Sequence, residues 1–316
     1  MLSPMRLITS ALVALLVSAP TPATSAEKIT LALDWFINPD HAPIIIAQQK
    51  GFFADEGLDV EIIEPANPND PPKLVAAGRM DLAISYQPQL HLHVDAGLPL
   101  KRIATLVATP LNALVVLDDG PVQSIADLSG RKVGFSVGGF EDALLRAMLE
   151  RHGLSLDDIE LVNVNFSLTP ALLSGQVSAV IGAFRNFELN QLALNNASGR
   201  AFYVEEEGVP VYDELIVVAH TDKVNQPAMS AFVRALERGV LYTINHPEES
   251  WELFSNLKPE LDDELNRRAW RDTLPRLALR PAAIDTKRYE HFAIFLAKQG
   301  LIQKPLPASA YTILPH

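Results

Sequence analysis

Several groups of side chains in this chain stand at spacings that suit the capture of a flat, polar solute. Asp34 and Trp35 close a β-like run at 29–33, and Asn38 follows. A tryptophan there offers a π-face worth on the order of 1–3 kcal/mol per stacked ring. The Asn38 amide can bind ring nitrogens or orient the loop. Phe184, Phe187 and Glu188 read as the opening of a helix at 184–194, where residues three and four apart share a face. An aromatic surface then stands beside a carboxylate, which is also an acid favoured by the helix dipole. Ser136-Val137-Gly138-Gly139-Phe140 joins a strand at 132–136 to a helix at 139–152. Its glycines let the backbone approach a ligand, and free N–H groups suit a carbonyl, formyl or phosphate oxygen. The glycine spacing is not that of a dinucleotide-binding turn. Tyr86 follows a strand at 82–85, and Tyr212 lies in a linker at 209–214; both are expected to contact the ligand. His91 and His93 are two residues apart on a helix, so they point apart and no metal site is expected.

Elements that alternate between strand and helix must position these groups. Strands are expected at 29–33, 60–63, 82–85, 102–108, 113–117, 132–136, 159–164, 179–181 and 215–219, with helices between most of them. From 226 onward the pattern is almost wholly helical. Such alternation implies an α/β protein with mainly parallel sheets covered on both faces, and ligands at the carboxyl ends of the strands. Two linkers stand out, the turn cluster Asp118-Asp119-Gly120-Pro121 and the stretch 209–214. They predict one lobe at 27–117 and 215–316, interrupted by a second lobe at 118–214, with the ligand cleft between them.

Composition narrows the function. At 316 residues, two lobes are favoured over one core. A formal net charge of −12 argues against nucleic acid, which needs cations facing phosphates. No cysteine is present, which excludes disulfides, thiolate metal sites and a cysteine nucleophile. Arg6, the apolar run 7–18 and the small residues Thr24-Ser25-Ala26 predict an export signal over 1–26. Without a cysteine after it there is no lipid anchor, so the mature chain is expected free in the periplasm, with no membrane insertion. No Gly-x-Ser-x-Gly elbow appears.

Leu33-Asp34-Trp35-Phe36-Ile37-Asn38-Pro39-Asp40-His41, Lys50-Gly51-Phe52-Phe53 and Glu56-Gly57-Leu58-Asp59-Val60 resemble periplasmic binding proteins of the thiamine-pyrimidine group. Ile125-Ala126-Asp127-Leu128-Ser129-Gly130-Arg131-Lys132-Val133-Gly134 is similar to the entry into the second lobe of type II solute-binding proteins. Gly182-Ala183-Phe184-Arg185-Asn186-Phe187-Glu188 and Gly208-Val209-Pro210-Val211-Tyr212-Asp213-Glu214-Leu215 are similar to further segments of that group. The likeness covers roughly residues 29–222. It implies a thiamine precursor as ligand, N-formyl-4-amino-5-aminomethyl-2-methylpyrimidine or hydroxymethylpyrimidine, and an ABC permease as partner of a monomer that is not an enzyme and needs no cofactor. In that setting Glu188 would face the amino edge of the pyrimidine. The group usually has a tyrosine where Phe184 stands. The superfamily also holds binders of riboflavin and aromatic sulfonates. It further holds a eukaryotic pyrimidine synthase, which uses pyridoxal phosphate on a lysine, a donor histidine and a cysteine-rich motif. His41 falls in that histidine's neighbourhood, but the cysteines are missing.

Overall fold

Residues 26–313 are described by a computed structural model; the export signal expected over 1–26 lies outside the described residues, Ala26 apart. The chain first lays down β1 (Glu27–Ala32), β2 (Leu58–Ile63), β3 (Leu82–Ser85) and β4 (Leu100–Val107). Residues 108–111 then lead into a second sheet, built from β5 (Asn112–Leu117), β6 (Lys132–Phe135), β7 (Glu160–Asn163), β8 (Ala179–Phe184) and β9 (Gly199–Tyr203). Residues 204–214 return the chain to the first sheet as β10 (Leu215–His220). The sheet orders are β2-β1-β3-β10-β4 and β7-β6-β8-β5-β9. Strands such as β3 and β10 are near-continuous apolar runs because helices cover both faces of the sheet.

Three features differ from the sequence reading. The sheets are mixed rather than mainly parallel. β2, β1 and β3 run parallel, as do β7, β6 and β8, but β10 is antiparallel to β3 and β4, and β5 is antiparallel to β8 and β9. A strand reached by a helical crossover on one sheet runs parallel to its predecessor, whereas β5 and β10 arrive from the other sheet and enter from the opposite end. Second, the strand Asn112–Leu117, assigned to the first lobe by the 117/118 boundary, pairs with β8 and β9. The first crossing therefore lies at 108–111. The turn cluster Asp118-Asp119-Gly120-Pro121 only ends β5 before the short helix Ile125–Leu128, which is started by a Ser124–Asp127 capping box. Third, β8 runs through Phe184 and the next helix, Glu188–Leu194, starts four residues later than the pattern implied. β9 escaped the sequence reading because all five of its residues are half-buried and show no alternation.

One close approach fixes the first helix. A Cβ on Gly239, in the helix Pro227–Asn245, would stand 2.3 Å from the Pro43 carbonyl oxygen and 2.9 Å from the Ala47 Cβ. Only glycine lets the helix Ala42–Gln49 lie this close, and that helix holds His41 at its start.

Candidate functional site

The carboxyl ends of β1, β3 and β8, from both sheets, face one cavity. It is lined by Asp34 and Trp35 after β1, Tyr86 after β3, Gly182 and Phe184 at the end of β8, and Phe187 and Glu188 beyond it. Leu215 joins them, since antiparallel β10 begins at the edge where its neighbours end. Asn38, Asp40, His41, Glu141 and Leu168 complete the wall. The space inside the cavity and in its open mouth together comes to about 460 Å³.

Asp34 organises one wall. Its carboxylate is buried and accepts the Tyr86 hydroxyl at 2.8 Å through Oδ2, while Oδ1 lies 2.9 Å from His41 Nε2. His41 Nδ1 accepts the Asn38 backbone N–H at 3.3 Å, which places the ring proton on Nε2, donated to Asp34. Tyr86 stacks on Phe140 with centroids 4.7 Å apart and meets Phe184 edge-on at 6.4 Å. Burial, then the Asp34 charge, pushes its hydroxyl well above the usual range, so it stays a donor. Trp35 is held edge-on by Phe166 at 4.6 Å.

The other ionisable groups of the lining are buried acids. Glu188 Oε2 accepts the Phe184 N–H at 2.6 Å. Burial pushes its carboxyl up to about 8, against the pull of that N–H. Glu141 Oε2 accepts the Ser136 N–H at 2.7 Å, and burial likewise pushes this carboxyl up to about 8. Asp40 Oδ1 accepts Asn186 Nδ2 at 2.7 Å and the Thr273 hydroxyl at 2.9 Å; burial raises it to about 6. No lysine or arginine belongs to the lining. Arg185, next to Phe184, pairs with Glu205 at 2.6 and 2.8 Å and lies over the Tyr203 ring. A wall of aromatic rings and near-neutral carboxyls suits a flat, basic heterocycle: the rings stack, and a carboxyl poised near neutrality can share its proton with a ring nitrogen.

Of the expected ligand contacts, Asp34, Trp35, Asn38, Tyr86, Phe184, Phe187 and Glu188 line the cavity. Ser136, Gly138, Gly139 and Tyr212 do not. The Ser136 N–H is spent on Glu141, and the Gly138 N–H donates to Asn69 Oδ1 at 2.9 Å. Gly138 and Gly139 are exposed, and Gly139 takes φ +83° to turn the chain. Tyr212 is fully buried against Phe292, its hydroxyl 3.0 Å from Glu214 Oε2. That same oxygen accepts the N–H groups of Leu111 and Asn112, so Tyr212 and Glu214 staple one crossing to the other, outside the cavity. Asn38 has both polar atoms engaged locally, capping the turn Pro39–His41 and donating to the Phe36 carbonyl. His91 is packed against Tyr311 and bonded to Gln87.

Sequence reasoning missed Asp40, His41, Glu141, Leu168, Gly182 and Leu215 as wall residues. Glu141 carried only the signal of a first-turn helix acid. Gly182 looked like an ordinary strand residue, yet its φ of +93° and missing side chain make room for Glu141.

Comparison with known proteins agrees with this geometry. The chain is 56% identical, over 92% of its length and 93% of the relative's, to a Haemophilus influenzae protein named for thiamine biosynthesis. It is 34% identical to the formylaminopyrimidine-binding protein of Halalkalibacterium halodurans, covering 71% of this chain and 68% of that one. At 29% identity, over 79% of each chain, stands the 4-amino-5-hydroxymethyl-2-methylpyrimidine phosphate synthase of Legionella pneumophila. The alkanesulfonate-binding protein of Xanthomonas axonopodis superposes with a TM-score of 0.73 at 15% identity, covering 92% of this chain and 99% of that one. The fold is therefore the two-lobed type II fold of periplasmic solute-binding proteins. With residues 38–250 matching its model, the chain belongs to the NMT1/THI5-like family.

Proposed function

We propose that this chain captures a free thiamine-pyrimidine precursor in the cleft between its sheets and hands it to an ABC permease. The ligand is N-formyl-4-amino-5-aminomethyl-2-methylpyrimidine or the related hydroxymethylpyrimidine. One observation carries the reading: Trp35, Phe184 and Phe187 converge with the near-neutral carboxyl of Glu188 on a single small cavity. The rings supply stacking that any flat heterocycle can use. Glu188 supplies the selection, because an aminopyrimidine offers a basic ring nitrogen beside an amino N–H. The 34% identical relative named for binding formylaminopyrimidine supports the same ligand. The chain acts as a periplasmic monomer; among its described residues no helix is long and apolar enough to cross a membrane.

Catalysis is not favoured. The lining has no lysine and the chain no cysteine, so these residues do not fit the lysine-bound pyridoxal phosphate and cysteine-rich motif of the eukaryotic synthase.

A thermal-shift panel of the two pyrimidines, riboflavin and an alkanesulfonate tests the reading. Ligand that binds only the folded chain raises its melting temperature. Shifts confined to the pyrimidines are expected, and a shift with riboflavin or the sulfonate alone overturns it.

A further inference from the structure

We propose that Glu141 makes the cavity specific for pyrimidines that carry no phosphate. The inference rests on the pyrimidine reading above and names a residue that decides which pyrimidine is taken. Glu141 opens the eleven-residue helix Glu141–Arg151, directly after the glycine turn. Backbone N–H groups at such a strand–turn–helix junction cradle phosphate oxygens in many proteins. Here the cradle is already filled from within the chain. Glu141 accepts the Ser136 N–H at 2.7 Å and also the Val137 N–H, while the neighbouring Gly138 N–H is taken by Asn69. The carboxyl lies across Gly182, where a Cβ would come within 2.3 Å of Oε1, and it forms part of the cavity wall.

A phosphate ester entering this cavity would meet four carboxyls, Asp34, Asp40, Glu141 and Glu188, and no lysine or arginine in the lining. It would lose its water without gaining a cation or an unspent N–H cradle, a large cost for a dianion. A neutral hydroxymethyl or formylaminomethyl group loses little and finds carboxyl groups that can donate or accept. The fold itself does not forbid phosphate, since relatives at 24–29% identity are named for making the pyrimidine phosphate.

The experiment compares 4-amino-5-hydroxymethyl-2-methylpyrimidine, its monophosphate and its uncharged acetate ester by calorimetric titration. The native chain should bind the alcohol at least about 100-fold more tightly than the phosphate, with the acetate ester far less affected. Glu141→Ala frees two N–H groups and should cut that ratio by about 10-fold or more, through tighter phosphate binding. Glu141→Gln keeps an oxygen on the same N–H groups and should retain the native ratio. Inorganic phosphate is a probe that needs no pyrimidine: it should raise the melting temperature of Glu141→Ala and not that of the native chain. Native binding of the phosphate as tight as that of the alcohol would overturn the proposal, as would equal rejection of phosphate and acetate ester. An unchanged ratio in a folded Glu141→Ala would remove Glu141 from the role. Failure of the native chain to bind any of the three pyrimidines would instead overturn the pyrimidine reading, and the inorganic phosphate comparison then still decides whether Glu141 fills an anion cradle.

Discussion

Asn186 Nδ2 stands 2.7 Å from Asp40 Oδ1, so an amide carried beyond β8 of the second sheet donates to a carboxyl carried beyond β1 of the first. Thr273 donates to the same oxygen at 2.9 Å. At another point between the sheets, Asn69 donates to the Ser136 carbonyl at 3.1 Å and accepts the Gly138 N–H at 2.9 Å. These bonds hold the cleft shut and keep the cavity acids from water.

That enclosure predicts an unusual pH dependence. A carboxyl whose folded pKa lies above its unfolded value binds more protons folded than unfolded, so stability falls as pH rises between the two values. Glu141 and Glu188 are pushed from 4.5 to about 8, Glu214 from 4.5 to about 7 and Asp40 from 3.8 to about 6, each chiefly by burial. The melting temperature of the ligand-free chain should therefore fall across that window, from its acid end up to about 8. Acids held low by partners, such as Asp81 beside Lys223, act below the window. Calorimetry across this range checks it, and a melting temperature that climbs steadily from acid to neutral would count against the buried acids.

Asn69→Ala should open the cleft without unfolding either sheet. Losing two hydrogen bonds at a half-exposed contact should weaken ligand binding by about 1–2 kcal/mol. The melting temperature of the ligand-free chain should change little. Small-angle scattering should show a larger radius of gyration in the ligand-free variant than in the native chain, closing again on ligand. Identical profiles would show that Asn69 does not latch the lobes.

Trp35→Ala should weaken a pyrimidine by roughly 1–3 kcal/mol, the worth of one stacked ring. The loss should be similar for 4-amino and 4-oxo pyrimidines, because stacking does not read the ring edge. Titration of both compounds decides this. Unchanged affinity would reassign Trp35 to packing against Phe166.

Much of this architecture was legible in the residues. The apolar runs that became β3, β5 and β10 are buried on both faces and so announce themselves. Trp35 and Tyr86, expected from the sequence at strand ends, do line the cavity, because position along a strand nearly fixes position at its end. What stayed hidden depends on long-range partners. Glu141 becomes a wall residue only because Gly182, forty-one residues later, leaves space for its carboxyl. Tyr212 looked like a ligand contact, yet its hydroxyl serves Glu214 at the crossing. Local pattern also cannot tell a turn from a change of sheet, which is why Asp118-Asp119-Gly120-Pro121 was read as the crossing.

The most direct test is the affinity of the native chain and of Glu188→Gln for a 4-amino pyrimidine and its 4-oxo analogue, measured by calorimetric titration. A carboxyl raised to about 8 can share its proton with the basic ring nitrogen of the amino compound and form a charge-assisted bond. Glutamine keeps the volume and loses that exchange. The native chain should prefer the 4-amino compound, and Glu188→Gln should weaken it about 10-fold more than the 4-oxo compound, narrowing the preference. Equal weakening of both compounds, or of neither, would contradict the account and leave Glu188 as an acid that only starts its helix.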